Sequence, residues 1–464
     1  MRSPLKNPAM RPDSQTKIST SEPLLNARLA RLLVRALFGL HALVLSSVVI
    51  KTKPWLTGDS ERYLALADAL GGGRGYGLWN GAAFEPESIR MPGYPALIMV
   101  SHKLLGQGQW GLVLMQGMLF LIAVWLMWRV TSEVFGQLAG ICFLALSAIY
   151  PFVAYGAGQV SPEMPTVFLI ALSIFLLLRP TTFRLASVGA LIGIATYFRP
   201  NLLLLGVPFA LACFLADRRM HLRALLPLIF TGALLLPWAI HNYRTFGVFT
   251  PTSIITGSGI NLFLGTWQSR VSVSSLIEYG MNGHTTDELA RSGMLEQVRA
   301  VNRQIDVPPE TPCVNMGNYP DNDKRRRAEK LFTTAAISNM KSWPGTYLRS
   351  SAKNMLRMWF SAYLPESFPA WMRLALVSEG ALFLVLGITG CALALRRVHG
   401  PHRLLVFASV GALLYFTGTL CWFHTEARYT IPVRLVLLSF AAYALKKVLE
   451  LFAARMTARS LLVS

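Results

Sequence analysis

The sequence predicts an all-α integral membrane protein, a bundle of about ten transmembrane helices with further helices along its outer face and one large outer loop. Three observations predict it. First, of 464 residues 53% are hydrophobic and only 14% charged, and the mean hydropathy is +0.44. A soluble protein carries about 25% charged residues, so too little polar surface remains to cover a soluble globule. Second, the apolar residues collect in runs of helical length, not in the short alternating segments of a membrane barrel. Only helices or closed barrels satisfy the backbone in lipid. Third, the net charge of +21 (44 basic against 23 acidic residues) gathers in the loops between alternate runs, the positive-inside pattern. No compact basic domain stands outside those runs, which excludes a nucleic-acid-binding module.

In chain order, residues 1–32 are polar and basic, with Pro4, Pro8, Pro12 and Pro23. The stretch is too long for the charged end of a signal peptide and reads as a disordered cytoplasmic tail. Apolar runs follow at 33–50, 110–130, 136–156, 161–178, 185–198, 201–216 and 222–242, then at 371–395, 403–423 and 429–448. The segment 94–105 is too short to span and holds His102 and Lys103. At 345–364, Arg349, Lys353 and Arg357 recur every four residues, while Leu348, Met355, Leu356, Trp359 and Phe360 supply apolar surface. That is the pattern of a helix lying in the membrane interface. Ten crossings put the loops bearing Arg179 and Arg184, Arg218 to Arg223, and Arg396 to Arg403 on the cytoplasmic side, with both termini inside.

The chain accordingly divides into the tail 1–32, an N-terminal membrane bundle 33–242 with a first outer loop 51–109, a second outer loop 243–370, C-terminal membrane helices 371–448 and a cytoplasmic tail 449–464. Within the second loop, 287–304 and 323–339 have helical composition, separated by a proline-rich stretch at 307–319. No internal repeat is evident, which argues against a transporter built from inverted repeats. Cys142, Cys213, Cys391 and Cys421 lie in apolar runs and Cys313 alone in a polar loop, so no disulfide framework is expected. The eight histidines show no metal-ligand spacing; neither a metal nor another cofactor is expected.

Acidic residues are scarce, so their placement is informative. Asp59 closely follows the first run, and Tyr63, Leu66, Ala67 and Leu70 behind it have amphipathic helical spacing. A short helix along the outer face is expected there, with Asp59 at its N-terminus either as a cap or as a functional acid. Glu163, in Ser161-Pro162-Glu163-Met164-Pro165, stands at the outer mouth of a run. It reads either as a helix-start acid or as the mark of a functional cavity. Arg62, Arg90, Arg199, Arg244, Arg349, Lys353, Arg357 and Arg428 are the outer-face cations. Each could contact lipid headgroups, and a guanidinium could equally bind phosphate through its bidentate fork.

The segments Gly58-Asp59-Ser60-Glu61-Arg62-Tyr63, Gly73-Arg74-Gly75-Tyr76 and Arg90-Met91-Pro92-Gly93-Tyr94-Pro95 resemble the first-loop signature of bacterial family-39-like glycosyltransferases of the GT-C superfamily. Protein O-mannosyltransferases and the lipid A aminoarabinose transferase are of that superfamily. The resemblance continues through Tyr197-Phe198-Arg199-Pro200, Pro237 to Arg244, Thr252 to Gly265 (with Asn261-Leu262) and Glu426-Ala427-Arg428-Tyr429-Thr430-Ile431-Pro432. Many relatives have Asp-Glu where this chain has Asp59-Ser60, and Gly-Asn where it has Gly265-Thr266.

The resemblance implies a bacterial inner-membrane enzyme that takes a sugar from a polyprenyl monophosphate outside the cytoplasm and gives it to a glycolipid, polysaccharide or protein. It implies Asp59 as acid-base residue, with Glu163 beside it. Arg62, Tyr63, Arg90, Tyr94, Arg199, Arg244, Asn261, Arg428 and Tyr429 would bind substrate, and Arg349, Lys353 and Arg357 would line the entrance for the lipid phosphate. Two alternatives stand beside this reading: a transporter or flippase for a lipid-linked sugar, and a polymerase or ligase using a diphosphate-linked donor. A transporter needs polar groups along a route through the membrane, where only Arg35, His41 and Glu379 stand out.

Overall fold

The computed structural model describes residues 26–56, 58–80, 83–106, 108–216, 221–270, 293–311, 316–360 and 369–463. The N-terminal tail up to residue 25 and Cys313 fall outside them. All ten apolar runs are helical, and they pack around one core. It begins with α1 (Ala27–Thr52), which is followed at one end of the bundle by α2 (Ser60–Gly71), a hairpin of β1 (Gly77–Asn80) and β2 (Ala83–Pro86), and α3 (Gly93–Leu105). The bundle resumes with α4 (Gln109–Phe135), α5 (Gln137–Ile149), the single turn α6 (Pro151–Tyr155), α7 (Glu163–Leu176), α8 (Thr182–Phe198), α9 (Gly206–Ala216) and α10 (Leu226–Phe246). A second layer of helices follows, with α11 (Ser258–Arg270), α12 (Leu295–Gln304), α13 (Asn322–Ser342) and α14 (Pro344–Phe360). The chain then returns to the bundle through α15 (Ala370–Arg397), α16 (His402–Leu420) and α17 (Ile431–Val463).

Among the described residues, five helical segments are long and apolar enough to cross a membrane: α1, α4, Arg223–Phe246, Val377–Arg397 and α16. Four apolar helices are shorter, at 137–149, 163–176, 182–198 and 200–216. Two runs expected as single spans are broken. The run 136–156 stops at Tyr150 because Pro151 follows, and a residue before proline is pushed out of the helical region. Residues 200–205 form a 3-10 turn behind Pro200 before α9 begins. The last helix runs on to Val463, past the expected tail boundary at 449. Leu43, Ile50, Leu114, Leu211, Ile229, Val385 and Leu414 are exposed on the outside of the bundle. Such an apolar surface is stable against lipid.

This second layer has its own core, in which Ile260, Phe263, Val298, Tyr319, Phe332 and Ala336 are buried together with Ile89 from the segment between α1 and α4. A separate small core joins α2, α3 and α4 through Tyr63, Ala67, Tyr94, Ile98 and Leu112. Helix α14 buries Tyr347, Ser351, Asn354, Met358 and Trp359 and leaves Arg349 and Lys353 exposed, with Arg357 half-buried. It packs on α15 and on the turn that precedes α17.

Candidate active site

The site forms where the segment after α1 is stitched to the segment before α7. Trp55 pairs with Gln159 in an isolated bridge, and the Ser60 hydroxyl donates to the Val160 carbonyl at 2.8 Å. A third stitch comes from Gln116, fully buried in α4. It accepts from the Tyr94 hydroxyl at 2.9 Å and donates to the carbonyls of Ala157 and Gln159 at 2.9 and 2.8 Å. A lone glutamine in an apolar run was the sequence signal for this joint, since buried amides in membrane helices bind across helices. These contacts carry Asp59 toward Glu163, which is far away in sequence.

Asp59 occupies the N-cap of α2, yet its side chain makes no cap hydrogen bond. Its carboxylate pairs instead with the Arg90 guanidinium. Arg90 is held from three sides. Its carbonyl accepts from the Tyr76 hydroxyl at 2.9 Å, its backbone N–H donates to Glu87 Oε1 at 2.8 Å, and its guanidinium lies 5.4 Å from the Tyr63 ring centroid. The other oxygen of Glu87 accepts from Arg62 at 2.8 Å. The Glu87 side chain is wholly buried, and nothing in the sequence motifs had singled it out.

The opposite side of the site comes from helix ends. Pro200 forces Arg199 out of the helical region, so α8 stops there and the side chain swings to Glu163 Oε1 at 3.2 Å. The 3-10 turn Ala427–Thr430 presents Arg428, whose Nε lies 2.5 Å from Glu426 Oε2. The Tyr429 ring receives both cations, with Arg199 and Arg428 at 5.5 and 5.8 Å from its centroid. The backbone of Asn261 reaches this corner as well, because its carbonyl accepts from the His424 N–H at 2.8 Å.

The electrostatics tie both sides together. Burial pushes the Asp59 carboxyl up, but Arg90, Arg428, Arg199 and Arg62 outweigh it and hold the group below its ordinary value. Burial opposes the charge on Arg428, and Glu426, Tyr429, Glu163 and Asp59 restore it well beyond. Arg90 Nε and Glu163 Oε2 are buried with no hydrogen-bond partner among the described residues. Orphaned polar atoms of this kind mark places where a polar ligand fits.

The structure thus brings together Asp59, Arg62, Tyr63, Arg90, Tyr94, Glu163, Arg199, Arg428 and Tyr429, with the backbone of Asn261 at the edge. Two carboxylates that the motifs did not include in the expected set, Glu87 and Glu426, join Asp59 and Glu163. Asp59, Glu87, Glu163 and Glu426 pair one to one with Arg90, Arg62, Arg199 and Arg428, because buried charge is stable only when partnered. Arg244 is not in the cluster: it is exposed in the last turn of α10 and takes no part in the ion pairs among the described residues. Arg349, Lys353 and Arg357 lie on α14, outside this set of pairs. Of the interior polar groups, His41 bonds Ser147 at 2.9 Å within the bundle, Arg35 is exposed and Glu379 half-buried. Among the described residues no three His, Cys, Asp or Glu side chains converge as metal ligands.

Residues 87–242, about a third of the chain, match the family model of dolichyl-phosphate-mannose-protein mannosyltransferases. That stretch includes Glu87, Arg90, Glu163 and Arg199. The oligosaccharyltransferase AglB of Archaeoglobus fulgidus, in complex with an inhibitory peptide and a dolichol-phosphate, superposes with a TM-score of 0.51 at 14% identity. The match covers 91% of this chain and 51% of the other, so the chain spans about half the length of that enzyme. ArnT of Cupriavidus metallidurans bound to undecaprenyl phosphate matches at TM-score 0.39 and 15% identity, covering 90% of this chain and 78% of that one. None of the curated proteins matches the chain. The chain thus shares its fold with that membrane oligosaccharyltransferase, and the family match over residues 87–242 agrees with the resemblance read from the motifs.

Proposed function

We propose that the chain is a membrane glycosyltransferase of the bacterial inner membrane. It moves a sugar from a polyprenyl-phosphate donor to an acceptor hydroxyl at the non-cytoplasmic face, with both termini in the cytoplasm. The observation that carries this reading is Asp59, an ionised carboxylate at a helix N-cap that is turned away from capping and into a ring of four arginines beside Glu163. The matched family is named for a polyprenyl-phosphate-linked sugar donor, which agrees with that chemistry.

Asp59 acts as general base and takes the proton of the acceptor hydroxyl as its oxygen attacks the anomeric carbon. The bond from that carbon to the phosphate oxygen breaks, and the lipid phosphate leaves with the electron pair. A phosphate with a second pKa of about 6 needs cations more than a proton. Each guanidinium has five N–H donors, so Arg90, Arg199 and Arg428 keep donors for the phosphate while paired to their carboxylates. Glu163 Oε2 is placed to orient a hydroxyl. A single displacement inverts the anomeric centre.

The test uses the purified full chain in detergent, with polyprenyl-phosphate hexoses and pentoses and no energy source. Glycosylated acceptor and free polyprenyl phosphate are expected, and NMR of the product gives the anomeric configuration. No transfer with any donor, together with movement of a lipid-linked sugar across vesicle bilayers, would replace the enzyme with a transporter. Trapping a glycosyl–Asp59 adduct would overturn inversion.

A further inference from the structure

The segment that carries Arg90 to Asp59 is gripped by the second layer of helices. From the end of β2 onward, residues 85–90 present two sets of groups. Glu87 and Arg90 face the site, as described above. Glu85, Pro86, Ser88 and Ile89 are held by the second layer of helices and the segment before it. Arg325, in the first turns of α13 and almost wholly buried, donates from Nη1 to Glu85 Oε1 at 2.7 Å and to Asn322 Oδ1 at 3.1 Å. Its Nε donates to the Tyr319 carbonyl at 2.9 Å. Asn322 donates to the Pro86 carbonyl at 3.0 Å and accepts from the Ser88 hydroxyl. The Ile255 N–H donates to the Ser88 carbonyl at 2.9 Å, and the Ile89 side chain is sunk in the core of the second layer.

We propose that Arg325 and Asn322 are positioning residues for the reaction, holding residues 85–89 so that Arg90 reaches Asp59. A guanidinium buried on several acceptors is a rigid joint, and α13 is anchored by the core that also takes in Ile89. The consequence is a mechanical link between the second layer of helices and the catalytic carboxylate. The set of Arg90 against Asp59 depends on two residues that sit on another element, more than two hundred positions away in sequence and in contact with neither member of the pair among the described residues.

The inference rests on the proposed function only for its second readout. The first needs no substrate. In the full chain in detergent, hydrogen–deuterium exchange is followed in wild type, Arg325→Met, Asn322→Ala and the control Arg299→Gln, which alters an exposed ion pair of α12. In Arg325→Met and Asn322→Ala, amides of 87–91 should exchange about tenfold or more faster, together with those of 59–63, while 163–198 and the control stay unchanged. Faster exchange confined to 293–342, with 87–91 and 59–63 as in wild type, overturns the proposal.

The second readout is the pH dependence of transfer with the donor that supports it. Loosening Arg90 raises the Asp59 pKa, so the acid limb should move up by about one unit in both variants. Arg325→Lys, which keeps the charge, should recover part of the shift. An unmoved limb in an active enzyme also overturns the proposal. If wild type transfers no sugar, the functional reading fails alone, and the exchange result still decides the link.

Discussion

The Asp59 carboxylate is paired with the Arg90 guanidinium, thirty-one residues later in the chain. The pairing uses an acid that could have capped its own helix and does not. A capping carboxylate is satisfied by backbone N–H groups. One held by a side chain at a loop end keeps an oxygen available for chemistry and takes its ionisation from the whole arginine ring.

Asp59→Asn keeps the size of the side chain and removes its basicity. Transfer should fall by about 10²–10⁴-fold with expression retained and the melting temperature lowered, since no cap bond is lost but Arg90 loses its carboxylate. Initial rates and a melting curve on the same preparation check this; an Asp59→Asn enzyme that stays active would remove the residue from the reaction.

Because its folded pKa is lowered, Asp59 contributes to stability above the ordinary carboxylate value, and the contribution is lost as pH falls through the folded value. The acid limb of the wild-type pH–rate profile should therefore lie below the range of an ordinary carboxylate. In Arg90→Gln the residual activity should show this limb about one unit or more higher. Equal limbs in the two proteins would mean that Arg90 does not control Asp59.

Arg199 and Arg244 separate the cluster from the surface. Arg199→Gln leaves Glu163 buried without its cation, and transfer should drop about tenfold or more. Arg244→Gln changes an exposed side chain and should alter the rate by less than about twofold. Parallel kcat and KM measurements distinguish the two residues, and equal losses would place Arg244 in the site.

Glu87→Gln should destabilise the protein by about 1–3 kcal/mol, since the buried carboxylate serves Arg62 and two backbone N–H groups at once. Thermal unfolding in detergent measures it. Transfer should fall together with stability, because the Arg90 N–H is one of the two.

Gly93→Ala tests the backbone approach beneath the site. A Cβ there would lie 2.7 Å from the Tyr197 carbonyl carbon and oxygen at the end of α8, and backbone cannot yield as a flexible side chain can. A loss of about 1–3 kcal/mol is expected, read from the melting curve in detergent. A Cβ on Gly265 would likewise lie 2.8 Å from the Trp422 carbonyl oxygen, which accounts for glycine in both motifs by close approach.

The membrane class, the ten apolar helical segments, the short helix behind Asp59 and the amphipathic helix around Arg357 were legible in the sequence. Each rests on a local property: run length, amphipathic spacing, or the stop that a proline imposes, as Pro200 does on α8. The motif residues Asp59, Arg90, Glu163, Arg199 and Arg428 were legible as chemistry-bearing groups for the same reason. Their partners were not. That Glu87 takes Arg62, that Gln116 ties Tyr94 to the segment before α7, and that Arg325 grips Glu85 follow from contacts between distant parts of the chain, and no spacing rule encodes them. The sequence alone counted cations and predicted an excess at the site. Only the tertiary structure decided that Arg62, Arg90, Arg199 and Arg428 each take one carboxylate, because removing charge from water is costly without a partner, and the partner is whichever acid the packing brings within reach.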